Sequence, residues 1–411
     1  MPICPFPHCP LTRFFGPLVL AFGLGASVPT IAAPHKPAQA DTVLERLPGR
    51  LDSADQARIA SLRAQFREKP DDAALAAELA EQHYRIAQRQ GDPRHIGYAQ
   101  AILARWQDSV APPSDVRLVR ALLAQFMHDF GSARRDLDAV LAAEPGNLAA
   151  LSYRAVLNLV SANYGDALRD CDALARHGKG LVIEACRPTA DALTGRAAAA
   201  YATLQDSLSK HRAAPANERL WVLTRLAEIA LRLDQPAQAD AHFRAALGLG
   251  IVDQYVLASY AEFLIDAGRY PETIALLRDH TSNDVLLLRL AIAEKASGHA
   301  DAKTHAELIA SRFEANRRRG DKTHLADEAW FELQFAGNPQ RALALASENW
   351  ATEQREPGDA RIFLEAALAA RNPAAAEPVR KWLAESAIED TRLRALAARL
   401  QSATEAAGAA K

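Results

Sequence analysis

After about position 70 the chain settles into one recurring pattern. A small residue stands near the start of an apolar-periodic helix at Ala99, Ala133, Ala167, Ala200, Ala239, Thr273, Ala302, Ala342 and Ala376. The successive spacings run 34, 34, 33, 39, 34, 29, 40 and 34, a period of about 34 residues. Three residues earlier there is usually a ring, as at Phe130, Tyr164, Pro236, Tyr270, Pro339 and Pro373. Four residues later the same helical face carries another apolar group, as at Leu103, Leu137, Cys171, Leu204, Phe243 and Leu277. Twelve residues earlier several copies carry a second small residue (Ala121, Ala155, Ala227, Ala261), which belongs to a preceding helix. Each unit therefore predicts two helices and a tight turn.

The spacing has a steric reason. Where two antiparallel helices cross, the side chains at closest approach must be small, and a ring at the turn covers the end of the pair. The punctuation agrees: Glu144-Pro145-Gly146-Asn147 separates one unit from the next, and Ala267-Gly268-Arg269-Tyr270 marks a turn within a unit. With these residues in register, in segments such as HDFGSARRDLDAVLAAEPGN, ANYGDALRDCDAL, LDQPAQADAHFRAAL and DAGRYPETIALL, the chain resembles a tetratricopeptide repeat (TPR) protein. The resemblance implies an all-α fold, a right-handed superhelical solenoid of antiparallel helix pairs, with about nine hairpins over residues 71–385. Two departures stand out: Pro188 falls in the first helix of the fourth unit, and the seventh unit has no ring at its turn. Its flanking gaps of 29 and 40 sum to about two periods, which suggests a displaced boundary. Residues 41–70 are expected to form N-terminal capping helices, and 386–411 a C-terminal cap followed by a fraying tail.

Composition adds the compartment and excludes some functions. Alanine makes up about a fifth of the 411 residues and aromatics only 6%, which favours helix over strand. The net charge of −2 gives no electrostatic footprint for nucleic acid. Arg13 followed by the apolar stretch Phe14 to Val28 reads as a signal peptide within residues 1–40, with cleavage after Ala32 or Ala40; the stretch is too short to span a bilayer. The mature chain has no further apolar run of membrane length, and the expected location is an exported compartment, a periplasm. Only Cys171 and Cys186 remain after export. They lie equally far from the turn His177-Gly178-Lys179-Gly180, so they stand at the same height on facing helices, and a disulfide is expected.

A search for chemistry finds no catalytic constellation, no cofactor motif and no metal motif. His299 and His305 are six apart, off the i, i+4 spacing of a helical metal site; Asp136 with Asp138 and Asp170 with Asp172 are two apart and read as solvated. What remains is binding. The resemblance places partners along the first helices, where Trp221 and Tyr255 are equivalent one period apart, as are Glu228 and Glu262; Phe126, Phe331 and Phe335 extend the face. The expectation is an exported scaffold for a protein or peptide partner. Two other readings remain: an envelope or secretion-complex factor touching the membrane through Arg317, Arg318, Arg319 and Lys322, and a helical-array enzyme acting on cell-wall material.

Overall fold

The structure, a computed structural model, describes residues 53–92 and 94–409. The expected signal peptide and the first part of the N-terminal cap lie outside the described residues. The described chain opens with α1 (Ser53–Glu68), followed by paired helices. These pairs are α2 (Ala73–Gln90) with α3 (Arg94–Leu103), α4 (Ser114–Phe126) with α5 (Phe130–Ala143), and α6 (Leu148–Val160) with α7 (Tyr164–His177). Next come α8 (Leu181–Asp191) with α9 (Ala197–Lys210), α10 (Ala216–Arg232) with α11 (Pro236–Leu247), and α12 (Gln254–Asp266) with α13 (Tyr270–Leu277). The last three are α14 (Asp284–Ser297) with α15 (Ala302–Arg319), α16 (Leu325–Phe331) with α17 (Pro339–Ala351), and α18 (Pro357–Ala369) with α19 (Glu377–Ser386); α20 (Thr391–Ala409) closes the chain. Among the described residues there are thus nine hairpins and no strand.

The repeat-marking residues lie where the two helices of a hairpin touch. Ala99, Ala133, Ala167, Ala200, Ala239, Thr273, Ala342 and Ala376 are all at most 3% exposed. Ala302 differs, being only half-buried as the first residue of α15. In hairpins 2 to 6 and in hairpin 8 the second helix begins three residues before the marker, as at Phe130 and Tyr164. By that rule the seventh marker is His305, not Ala302, with Ile309 as the buried residue four positions on. Both adjoining gaps then move closer to the common period. A histidine occupies the small position because it has a partner there: its Nδ1 is 2.8 Å from Oε2 of the buried Glu294 on α14.

A further expectation is corrected. Asp136 and Asp170 are buried rather than solvated. Asp136 meets Arg117 and Arg120 at 3.1 Å each, and Asp170 meets Arg154 at 2.6 Å and accepts from Asn158 at 3.1 Å. Arg120 and Arg154 are one period apart, as are the two aspartates, so one ion pair is used twice between first and second helices. The last helix, α20, runs through Ala409. Cys171 and Cys186 are bonded, joining α7 to α8 with Cα atoms 5.4 Å apart.

Helix α14 is apolar nearly all round, and every residue from Leu286 to Glu294 is buried, as expected for a helix enclosed on all sides. Its neighbours α12, α13, α15 and α16 enclose it, and distant hairpins also meet. The turn of hairpin 1, at Gly91, lies against Asn283 and Gln254 near the loop between hairpins 6 and 7. The turn of hairpin 2 brings His128 within electrostatic reach of Asp321 and His324, in the loop between hairpins 7 and 8. At the turn of hairpin 3, the Val160 carbonyl accepts from Arg355 N at 2.9 Å, in the loop between hairpins 8 and 9, and the Tyr164 hydroxyl accepts from Trp382 Nε1 at 3.1 Å. The turn of hairpin 4 places Gly195 beside Ala387, and Ala197 N donates to Glu389 at 2.5 Å, just beyond hairpin 9. The rule is constant. Each of these four turns meets the loop that follows the hairpin five places on, so the array is stitched along a seam.

Candidate interaction surface

The sequence-predicted surface lies on the first helices, and the structure divides it into three groups. The first surrounds α10. Trp221 packs between hairpins 4 and 5, against a cluster that includes Leu181, Ala185, Leu204 and Leu226. Tyr255, at the start of α12, is 47% exposed, and no ring contact joins it to Trp221 among the described residues. Its companion is Arg225, whose guanidinium carbon lies 4.9 Å from the ring centre and which pairs with Glu228 at 3.0 Å. Solvent reaches the Tyr255 ring. Glu356, from the loop between hairpins 8 and 9, belongs to the same electrostatic cluster.

The second group crosses three helices. Arg289 on the enclosed α14 donates to Glu262 on α12 and, at 2.9 Å, to Asp327 on α16; it also lies 5.3 Å from the Trp330 ring centre. His324 Nδ1 is 3.7 Å from Asp327. Burial alone would raise the Asp327 carboxyl, but Arg289 and His324 hold it down at about 2. Burial opposes the His324 charge in the same way, and Asp327 reverses that effect, raising His324 above its usual value. Glu228 and Glu262 are therefore each engaged by an arginine. The face presents alternating, internally matched charge in place of a free acidic strip.

The third group is aromatic. Phe331 and Phe335 stack with centres 5.2 Å apart at the end of α16, where a wider π-type turn (Glu332–Ala336) brings both rings to one side. Phe313 meets Phe331 edge-on at 5.8 Å, and Lys295 Nζ lies 5.0 Å from the Phe335 centre. Phe126 stands apart from this group, edge-on to Tyr84 at 6.3 Å in the core of hairpins 1 and 2.

The basic run is matched within the chain. Arg317 pairs with Glu314 and Glu328, Arg318 with Glu314 and Lys322 with Glu348, while Arg319 donates to Asn316. No helix of the described residues is long and apolar enough to cross a membrane. Paired carboxylates do occur at Glu356 and Asp359, both raised by burial, but they form the reciprocal cap of α18: Glu356 N donates to Asp359 at 3.1 Å, and Asn349 donates to Asp359 at 2.9 Å.

Sequence reasoning missed a cavity of about 270 Å³ between α1 and α3, lined by Ile59, Arg63, His83, Asp92, Arg94, His95 and Tyr98. His83 and His95 face each other there with Nδ1 atoms 2.8 Å apart, and burial together with His95 pushes His83 down to about 4. Its one carboxylate, Asp92, is held by Arg94 at 2.5 Å. The alternation of His and Tyr at positions 83, 95 and 98 carries no periodic signal that would have marked the site.

Small residues at eight of the nine hairpin crossings, two-helix units at a period of about 34 residues and nine stacked copies among the described residues give this chain a TPR-type helical-repeat fold. No protein-family model matches the chain, and no curated protein matches it. Among solved structures it is similar to the Cut9–Hcn1 hetero-tetramer of APC/C, at 11% identity and a TM-score of 0.39, covering 84% of this chain and 52% of that one. It is also similar to the TPR domain of P58(IPK), at 16% identity and a TM-score of 0.23, covering 80% of this chain and 99% of that one. A third is Naa15/Naa10 bound to HypK-THB, at 13% identity and a TM-score of 0.24, covering 85% of this chain and 64% of that one. The chain thus spans about half the length of the matched Cut9–Hcn1 chain. At these values the fold assignment rests on this chain's own hairpins.

Proposed function

We propose that the protein is an exported scaffold that binds a protein or peptide partner on the first-helix face of hairpins 5 to 8 and carries out no catalysis of its own. The observation behind this reading is the row of aromatic rings with cations held over them, Arg225 on Tyr255 and Lys295 on Phe335, beside the matched charges of Glu228, Glu262 and Arg289. Such a face favours a partner with apolar or aromatic anchors, since each cation is already oriented and the exposed ring supplies contact area at low entropic cost. The Cys171–Cys186 bond suits an oxidising compartment such as a periplasm.

The test compares capture from the exported fraction by the wild type and by Tyr255→Ala, Phe335→Ala and Trp221→Ala. Loss of the same partner from the first two, by roughly 30-fold in affinity if either is an anchor, supports the face. An unchanged partner profile rejects it. Trp221→Ala is expected to reduce stability more than binding, because that ring packs between hairpins. Sequencing the mature N-terminus tests export, with Ala33 expected after cleavage at Ala32 and Asp41 after cleavage at Ala40.

A further inference from the structure

Helix α14 buries two charged residues, and they are treated differently. Arg289 is matched by Glu262 and Asp327. Glu294, with its side chain 3% exposed, has no Lys or Arg nitrogen within ion-pair distance among the described residues; its neighbours are two imidazoles. Oε2 lies 2.8 Å from His305 Nδ1, and Oε1 lies 3.8 Å from His299 Nδ1. Asp301 joins from the other side, with Oδ2 3.8 Å from the same His299 nitrogen. One donor atom each from Glu294, His299 and Asp301 lies within 4.8 Å of the other two.

We propose that the turn of hairpin 7 is a divalent transition-metal site, with Glu294, His299 and Asp301 as ligands and His305 as the partner that fixes the Glu294 carboxylate. The two separations from His299 are too long for hydrogen bonds. They suit two ligands of one ion better: at metal–donor distances of about 2.0–2.1 Å, tetrahedral ligands stand about 3.3–3.4 Å apart. His299 and Asp301 are the exposed members, with side chains 42% and 63% accessible, so both are free to rotate toward the buried carboxylate, His299 Nδ1 exchanging its bond from Asp301 N at 3.3 Å for the ion. An imidazole among carboxylates selects Zn²⁺ or a neighbouring first-row ion over Ca²⁺ or Mg²⁺, which prefer all-oxygen shells. His305, hydrogen-bonded to the second oxygen of the ligating carboxylate, is the outer partner that commonly orients a metal ligand.

The site lies at a turn that no ring covers, as at hairpin 4, which has Ala197 at the equivalent place. The backbone turns sharply here, with Gly298 left-handed at φ 70° and His299 N bonded to the Glu294 carbonyl at 2.8 Å. Hairpins 2, 3 and 6 cover this end with Phe130, Tyr164 or Tyr270, whereas hairpin 7 has Ala302 at the equivalent place. An ion held by Glu294 of α14 and by two residues of the turn ties the end of one helix to the start of the next. It takes over the role of the missing ring.

The experiment uses tag-free, chelator-treated full-length mature protein titrated with ZnCl₂ by calorimetry, with the visible absorption of Co²⁺ as a second readout. Expected are one equivalent bound and at least tenfold weaker binding in His299→Ala and in Asp301→Ala. Both positions are exposed, so circular dichroism should show both variants folded. His95→Ala, which removes the other histidine cluster, should leave the affinity unchanged. The proposal is overturned if no one-equivalent event occurs, if both exposed-ligand variants bind like the wild type, or if His95→Ala alone abolishes binding.

Discussion

The contact between Tyr164 and Trp382 joins residues 218 positions apart, and so gives a sensitive test of the seam. The indole nitrogen donates to the phenol oxygen at 3.1 Å, both residues are at most 9% exposed, and burial, partly offset by that bond, lifts the phenol to about 12. Replacing Tyr164 by Phe removes the acceptor and strands a buried N–H, at a cost of about 1–3 kcal/mol. Replacing Trp382 by Phe also loses its edge-on contact with Trp350 at 5.5 Å, so neither single variant isolates the bond. The double variant does. It should be less destabilised than the sum of the singles by about 1 kcal/mol, the net worth of one buried hydrogen bond. Read by amide exchange, that coupling is about a fivefold difference in the opening equilibrium of the segments around 160–167 and 377–390. Effects that add to within about 0.3–0.5 kcal/mol would show that the two rings do not meet, and the seam reasoning would fail there.

Three other outcomes are expected. Replacing Cys171 and Cys186 together by Ser opens a loop of 15 residues and should lower stability by about 3 kcal/mol in the chain-entropy model, measured by chemical denaturation of the oxidised wild type against the variant. Ala167→Leu should destabilise by about 1–3 kcal/mol through overpacking, whereas Ala302→Leu should stay within about 0.5 kcal/mol; equal effects would restore Ala302 as the packing position. Stability should fall in two steps on acidification. His83 and His128 are both lowered to about 4, so the unfolded chain takes up protons that the fold refuses between about pH 6.5 and 4, and stability present above that window is lost across it. Asp327, held at about 2, adds a second loss between about pH 3.8 and 2. Denaturation at a series of pH values checks both steps, and His83→Gln should flatten the upper one.

The hairpins were legible because helix crossings admit only small side chains, and this constraint writes itself into the sequence once per unit. Its failure at hairpin 7 has the same origin. His305 occupies a small position by bonding to Glu294, and a search for small residues slid three places to Ala302. The buried aspartates were misread because i, i+2 spacing on one helix says nothing about an arginine on the partner helix: Asp170 is matched by Arg154, 16 positions earlier. The seam left no trace at all. Its members are turn and loop residues such as Gly91, Val160 and Gly195, paired through backbone atoms or close approach across distant stretches of chain, with no periodic or compositional mark. Tyr255 and Phe335 were visible as rings on first-helix faces. The cations over them were not, since Arg225 comes from the preceding hairpin and Lys295 from another helix.

The seam also constrains how this chain can change. In an open helical array, stability is close to a sum over neighbours, so a unit can be gained or lost with little disturbance elsewhere. Here the turns of hairpins 1 to 4 are each matched to a loop five hairpins on. Inserting a single two-helix unit between hairpins 4 and 6 would put all four matches out of step at once. Deletion there would do the same. The number of units between each of these turns and its matched loop is therefore fixed, whereas a unit added before hairpin 1 or after hairpin 9 would leave all four matches in step. The chain must also close loops as long as the one from Ala197 to Glu389 before the last contacts form, which sets it among slow, cooperative folders rather than among arrays that zip from one end.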